Sequence, residues 1–453
     1  MILLSIGLKK SYIMNDLLSV AIALAAGLLM TRVFKVLHLN FPDVTAFLVA
    51  GLCIGPYGLG RLGIPGLGFT SFEAVDSVEI VSTVALGFIA FSIGNEFKLS
   101  HLEGTGKQAT IIGIIQAVTA MVFVDIILVI VVLVTDSKTL TIPAAITLGA
   151  IATATAPAAT LMVVKQYKAK GKLTDILLPV VALDDAVGLV AFALSFGIAQ
   201  TLITNTVSIV AIIVNPLVEI VASLLLGSIM GVILTKLEEL FYSNSNRLSL
   251  TIAFVLVTIA LSSMSFNIGP VTVSFSSLLV CMMLGTMLCN LCPRSGDIMA
   301  RADKWTAPLF ALFFVISGAD FNLSVFKEPI VVVIGILYIL GRSAGKYFGA
   351  RESARATGCD QNVVKYLGYT LLPQAGVALG MCIQAEALGA TEGLLIRNIV
   401  LFSVFVYEIA GPMITKWALT KSGDIEVKPE DKTTHDRFNM PKAHRKVARP
   451  QNR

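Results

Sequence analysis

Apolar segments of bilayer-spanning length follow one another along the chain from residue 15 to residue 417. A hydrocarbon core about 30 Å thick needs roughly 20 apolar helical residues to cross it. The approximate spans are 15–34, 43–60, 78–95, 108–134, 142–164, 174–202, 208–235, 248–265, 271–290, 306–320, 329–350, 363–388 and 393–417. Two are marginal: Gly55–Pro56 interrupts the second, and 306–320 is short. The expected architecture is an all-α integral membrane protein of about 13 transmembrane helices. Composition agrees, with 56% hydrophobic and only 14% charged residues, against about 25% charged in a soluble domain. The bilayer is therefore the solvent this chain is written for.

Charge in the loops tests the count. Loops after odd-numbered spans hold Arg32, Lys98, Lys165, Lys168, Lys170, Lys172, Arg294 and Arg301 among many other basic residues. The opposite side holds only Arg61, Lys138, Lys327 and Arg397 between spans, plus Lys9 and Lys10 at the start. The positive-inside rule places the first set in the cytoplasm, with the N-terminus outside and the C-terminus inside a cell membrane. The start, MILLSIGLKK, puts its apolar residues before its lysines, the reverse of a cleaved signal. Residues 1–14 read as an N-terminal extracytoplasmic segment and 15–417 as the membrane domain. Residues 418–453 read as a disordered, basic cytoplasmic tail able to touch anionic lipid.

Against this apolar background, the stretch LLPVVALDDAVGLVAFALSFGIA carries Asp184 and Asp185 with no other charge. Each costs roughly 2.5–3.5 kcal/mol at a bilayer centre unless it finds a partner, so intramembrane acids mark function. The span just before them reads AAITLGAIATATAPAATLMVV. Pro157 removes a backbone donor and frees a carbonyl one turn earlier, beside the hydroxyls of Thr153 and Thr155. A loosened backbone survives at membrane depth only inside protein or beside water. The twelfth span, VVKYLGYTLLPQAGVALGMCI, repeats the pattern with Pro373, Gln374 and Gly376. The two interruptions lie in matching places of two three-helix groups, the second turned upside down relative to the first. That is the signature of an inverted-repeat transporter with two crossed broken helices and its site at the crossing.

Adjacent residues point about 100° apart on a helix, so one carboxylate can face a fixed partner while the other faces a cavity. The eleventh span, VVVIGILYILGRSAGKYFGA, offers Arg342 and Lys346, four residues apart on one face. Arg stays charged in any setting, whereas a buried Lys can lose its proton. Asp125 in the fourth span is either an acid near the external end or a salt-bridge partner for Arg342. Glu96 reads as a solvated helix-end residue, and Glu408 is intramembrane by position without an assignable role. The histidines (His38, His101, His435 and His444) fall in loops or the tail, and no nucleophile–base pair shares a segment. An enzyme is not expected, nor a cofactor, nor a nucleic-acid partner. The Cys289-x-x-Cys292 pair lacks a second pair or a nearby histidine and reads as packing.

These residues taken together resemble the monovalent cation/proton antiporter superfamily. The resemblance runs through GFIAFSIGNEFKLSHL, ATATAPAAT, KQYKAKGKLTDILL with VALDDAVGLV, LFFVISGADF, GRSAGK and LLPQAGVALG. It implies a homodimer with a scaffold and a six-helix transport core moving as an elevator. It also implies that Asp185 is the shared ion and proton carrier, and that Asp184 pairs with a base on the GRSAGK helix. The electroneutral branch usually has Asn-Asp at the pair and Asp-Pro in the broken helix. This chain has Asp-Asp and Ala156-Pro157, which resembles the branch whose best-known members are electrogenic. Gln374 stands where some animal members place a lysine.

The expected function is exchange of Na+, Li+ or K+ for protons by alternating access. Asp184 and Asp185, the hydroxyls of Thr153 and Thr155, carbonyls near Pro157 and water supply the oxygen ligands a hard monovalent cation needs. Two protons exchange for one cation if Lys346 gives up its proton, and one for one if it stays charged. The alternatives are a sodium-coupled symporter of an organic anion on a similar fold, and a Kef-type potassium efflux system.

Overall fold

The computed structural model describes residues 2–37, 39, 41–64, 67–95, 97, 106–135, 140–204, 214–269, 271–321 and 323–426. Its helices are α1 (Ile2–Val36), α2 (Asp43–Ile54), the single turn α3 (Phe72–Asp76), α4 (Glu79–Asn95) and α5 (Gly106–Thr135). They continue as α6 (Ile142–Ile151), α7 (Pro157–Tyr167), α8 (Lys172–Thr204), α9 (Asn215–Glu238) and α10 (Asn244–Ser262). After a hairpin of β1 (Phe266–Ile268) and β2 (Val271–Val273) come α11 (Ser277–Leu291), α12 (Ser295–Asp320) and α13 (Pro329–Ala356). The chain closes with α14 (Gln361–Thr370), α15 (Gly376–Ala385) and α16 (Ala390–Ser422).

Every apolar span read from the sequence meets a helix, and the protein is a multi-pass membrane protein. By length and composition alone, eight helices among the described residues are fit to cross a membrane, and four more apolar helices are shorter. The count of about 13 spans is therefore not fixed by helix length. Several boundaries differ from expectation for plain reasons. The span 271–290 starts as strand: Val271–Val273 pairs antiparallel with Phe266–Ile268 across Gly269, and the helix begins only at Ser277. Val-Thr-Val is β-branched throughout and fits a pleated edge better than a helix. The short span 306–320 is the apolar end of a 26-residue helix whose first turns carry Asp297, Arg301 and Lys304. The helix α1 starts at Ile2, so the segment 1–14 is helical from its second residue. At the other end α16 runs to Ser422, past the expected tail boundary at 418. Asp424 just beyond it accepts from Thr174 N and Oγ1, both at 2.8 Å, tying the end of α16 to the start of α8. Residues 427–453 lie outside the described residues.

The helices sort into two bodies. One joins α1, α2, α4 and α9–α12; the other joins α5–α8 and α13–α16, and each packs mostly within itself. Small residues let backbones approach where lipid supplies no hydrophobic driving force. In the first body, a Cβ on Gly51 would lie 2.1 Å from the Val315 carbonyl oxygen, and one on Gly318 2.2 Å from that of Leu48. The bodies meet along a thinner seam. At one end of it Lys165 of α7 pairs with Asp303 of α12 at 2.6 Å and donates to Ser92 of α4.

Candidate ion-binding site

The chain is unwound at residues 152–156, between α6 and α7, and at 371–375, between α14 and α15. The first break follows from its residues. The Thr141 hydroxyl caps the start of α6 by accepting from Ala144 N, and Pro157 opens α7 at a position where its missing N–H leaves nothing unpaired. The second break holds Pro373. The two unwound segments touch: Ala156 N donates to Pro373 O at 2.8 Å. Gly411 of α16 backs this contact, since a Cβ there would come within 2.9 Å of Pro373.

Arg342 and Lys346, both fully buried on α13, divide the crossing between them. The Arg342 guanidinium donates to carbonyls from both breaks: Nε to Ala152 O at 3.0 Å, Nη2 to Ala154 O at 2.5 Å and Nη1 to Leu372 O at 2.6 Å. It also lies 4.5 Å above the Tyr407 ring. A planar cation with five donors suits the carbonyl ends of two half-helices, where the backbone dipoles leave partial negative charge. Lys346 instead pairs with Asp184 Oδ2 at 2.7 Å, and donates to Thr153 O at 2.5 Å and Thr155 Oγ1 at 2.9 Å. The Thr155 hydroxyl donates to the same carboxylate oxygen. Lys346 and Asp184 are both wholly buried.

Thr153 Oγ1 donates to Ala150 O at 2.7 Å and stands against Gly188, one turn beyond the aspartates on α8. The backbone of Asp185 is part of α8, next to Asp184, and its side chain lies outside the described residues. Gln374 is fully buried and braces the second break: Nε2 donates to Ile151 O at 3.1 Å and to Tyr338 Oη at 2.9 Å. Sequence reading missed Gln116. This buried α5 residue donates from Nε2 to Asp184 Oδ1 and to Gly113 O. Its signal was faint, a lone amide in the apolar run IIGIIQAVTAMVF.

Of the two readings of Asp125, the salt bridge to Arg342 is not met. No ion pair joins Asp125 to Arg342 among the described residues. The guanidinium is turned to the crossing carbonyls, and the Asp125 carboxyl rests against Gly149 of α6 with Oδ1 unpartnered. Glu408 is buried on α16 with Oε2 also unpartnered among the described residues. Glu96 lies outside the described residues.

Two voids flank the site on the seam between the bodies. A cavity of about 1340 Å³ is lined by Asp43, Phe47, Lys165, Thr174, Asp303 and Pro308, and reaches Pro179 on α8. Asp185 is six residues further along, about 9 Å at the helical rise. A second void of about 30 Å³ lies at the crossing itself, lined by Ile93, Ala156, Pro157, Ala182, Phe313 and Ala375.

The sequence and the overall fold are similar to those of known transporters. The family model for the transmembrane sodium/hydrogen exchanger matches residues 17–421. The Na(+)/H(+) antiporter NhaS4 of Synechocystis is 24% identical over 410 residues, covering 89% of this chain and 96% of that one. The high-affinity Na(+)/H(+) antiporter NhaS3 of the same organism is 25% identical, covering 83% and 85%. Structures of the sodium proton antiporter MjNhaP1 from Methanocaldococcus jannaschii superpose with TM-scores of 0.67 and 0.71 at 18% identity. They cover 92% and 91% of this chain and 100% and 98% of their own. With two crossed unwound helices around a buried Lys–Asp pair, and a family match over nearly its whole membrane region, the chain belongs to the transmembrane sodium/hydrogen exchanger family.

Proposed function

We propose that this protein exchanges Na+ for protons across the cell membrane by alternating access, with Asp185 as the carrier that binds one or the other. The observation that carries the reading is the buried Lys346–Asp184 pair set between two touching helix breaks. Lys346 pairs with Asp184, and the adjacent Asp185 is the carrier. Once Asp185 loses its proton it takes a dehydrated cation, with Thr153, Thr155, carbonyls near Pro157 and water completing the oxygen shell. Li+ and K+ have the same ligand chemistry and are candidate substrates alongside Na+. Protons and cations compete for one site, and that competition couples their fluxes without any chemical reaction.

The small void at the crossing, about 30 Å³, favours a single ion there over an organic anion. The cavity on the Lys165 side serves as the cytoplasmic vestibule, with the N-terminus outside and the C-terminus in the cytoplasm. The body containing α5–α8 and α13–α16 moves as the transport core against a scaffold that forms a homodimer.

The test is Na+-dependent proton movement in proteoliposomes. Asp185→Asn abolishes it and Asp185→Glu keeps a fraction. Exchange at the normal rate in Asp185→Asn removes the assignment.

A further inference from the structure

The larger cavity is built for more than an ion. Its volume of about 1340 Å³ exceeds the roughly 300–1,000 Å³ of a small-molecule site. Leu24 and Leu28 of α1, Phe47 of α2, Leu161 of α7, Leu178 of α8 and Phe310 of α12 give it an extensive apolar lining. An ion path needs no such lining, and apolar surface left against water is unfavourable. The α1 helix carries the lining to the edge of the molecule. Its span is for the most part unburied, and Leu28 and the neighbouring Leu29 are more than half exposed. In a membrane, the hydrocarbon of the bilayer therefore lies beside the apolar side of this cavity.

The polar lining is unequal in charge. Lys165, Lys168, Lys170 and Lys304 stand there with Asp43, Asp175 and Asp303. Lys165 and Asp303 pair with each other, which leaves three lysines to two acids. Lys168, Lys170 and Lys304 are exposed and form no ion pair among the described residues. Lys168 ends α7 in the left-handed conformation, φ 51° and ψ 40°, and is the one non-glycine residue with positive φ among those described. Glycine or asparagine holds that conformation more readily than lysine. Lys165, Lys168 and Lys170, on both sides of this turn, all border the cavity. Asp424 holds the turn in place. Its carbonyl oxygen accepts from Lys170 N at 2.9 Å, and a Cβ on Gly171 would fall 2.7 Å from its carboxyl carbon.

We propose that this cavity seats one anionic phospholipid from the adjoining leaflet, with its phosphate among Lys168, Lys170 and Lys304 and an acyl chain along the apolar lining. Basic pockets between membrane helices hold anionic headgroups in this way. A soluble anion would use the lysines and leave the lining against water. A neutral lipid would cover the lining and leave the lysines unmatched. Lys304 belongs to one body, and Lys168 and Lys170 to the other, so the seated lipid bridges the seam. It thereby slows movement of one body past the other. That consequence alone rests on the exchange reading; the binding site does not.

The experiment is native mass spectrometry of the full chain in detergent, titrated with dioleoyl phosphatidylglycerol, with dioleoylglycerol and with inorganic phosphate. One variant combines Lys168→Gln, Lys170→Gln and Lys304→Gln, and another combines Leu24→Asn with Leu28→Asn. A control combines Lys236→Gln, Arg294→Gln and Arg301→Gln, which removes the same charge from exposed positions outside the cavity lining. Lys304→Gln alone, one exposed substitution, guards against misfolding of the triple. Wild type and control are expected to bind the first phosphatidylglycerol equally. The cavity lysines are expected to lose about fivefold in affinity for each one removed, and the leucine pair also weakens binding. Equal weakening in both charge triples, or no weakening in the leucine pair, overturns the proposal. So does binding of phosphate or dioleoylglycerol as tight as that of phosphatidylglycerol. In proteoliposomes, phosphatidylglycerol in place of phosphatidylcholine is expected to slow Na+-dependent proton movement in wild type and control but not in the cavity triple. Absence of such movement from every sample would count against the exchange reading and leave the binding result standing.

Discussion

Two cations one helical turn apart have separate tasks here. Arg342 binds four backbone carbonyl oxygens, with Pro373 O at 3.4 Å the longest contact, and no acid among the described residues. Lys346 holds the acid. The chemistry fits: the planar guanidinium spreads its donors over several carbonyls, while the ammonium is a compact point charge for one carboxylate. Breaking a buried ion pair leaves an uncompensated charge and costs about 3–5 kcal/mol, whereas removing both members is often neutral. Lys346→Met is therefore expected to lower unfolding stability in detergent by about that amount, and Lys346→Met with Asp184→Asn to recover most of it. Equal losses in the single and double variants would contradict the pairing. The sequence presented both bases on one face of a helix but did not say which would reach Asp184. That depends on the height at which α13 crosses the breaks, a property no local spacing encodes. Asp125 shows the same limit. The sequence allowed either an acid near the external end or a partner for Arg342, and the packing of α5 on α6 sets its carboxyl against Gly149.

Breaks and close approaches decide how the elements meet. Pro157 and Pro373 made both breaks legible, since each removes a ladder bond inside an apolar run. The bond from Ala156 N to Pro373 O, which makes the breaks a crossing, joins residues far apart in sequence and could not be read. The α5–α13 contact rests on absent side chains. Gly345→Leu would drive a branched side chain into the Ala120 backbone, 2.5 Å from where its Cβ would sit. Overpacking of this kind costs about 1–3 kcal/mol and more where backbone must move. A fall in melting temperature together with loss of exchange is expected, measured by thermal unfolding and proteoliposome flux. Gly296 has no atom within 4 Å of its virtual Cβ, and Gly296→Ala should leave both readings unchanged.

On the scale of the molecule, the question is how two tightly packed bodies share a seam. Polar contacts across it line the larger cavity: Lys165 with Asp303 at 2.6 Å, and Asp43 N with Gln166 Oε1 at 2.9 Å. Lys165 and Asp303 are partly exposed, so salt weakens their attraction. If the bodies slide during transport, Lys165→Cys with Asp303→Cys joined by a short thiol-reactive cross-linker should stop exchange. Cleavage of the linker should restore it. Full activity in the cross-linked protein would rule out relative movement at this seam. What the sequence determined by itself was the solvent, the helical class, the two breaks and the acids and bases held at membrane depth. Each of these follows from side-chain chemistry weighed against lipid over a few consecutive residues. Only the tertiary structure decided which base meets which acid, that Gln116 joins them, and that Arg342 binds both breaks. Those pairings bring together residues from α5, α8 and α13 with two unwound segments, and their geometry is fixed by helix packing, not by neighbours in the chain.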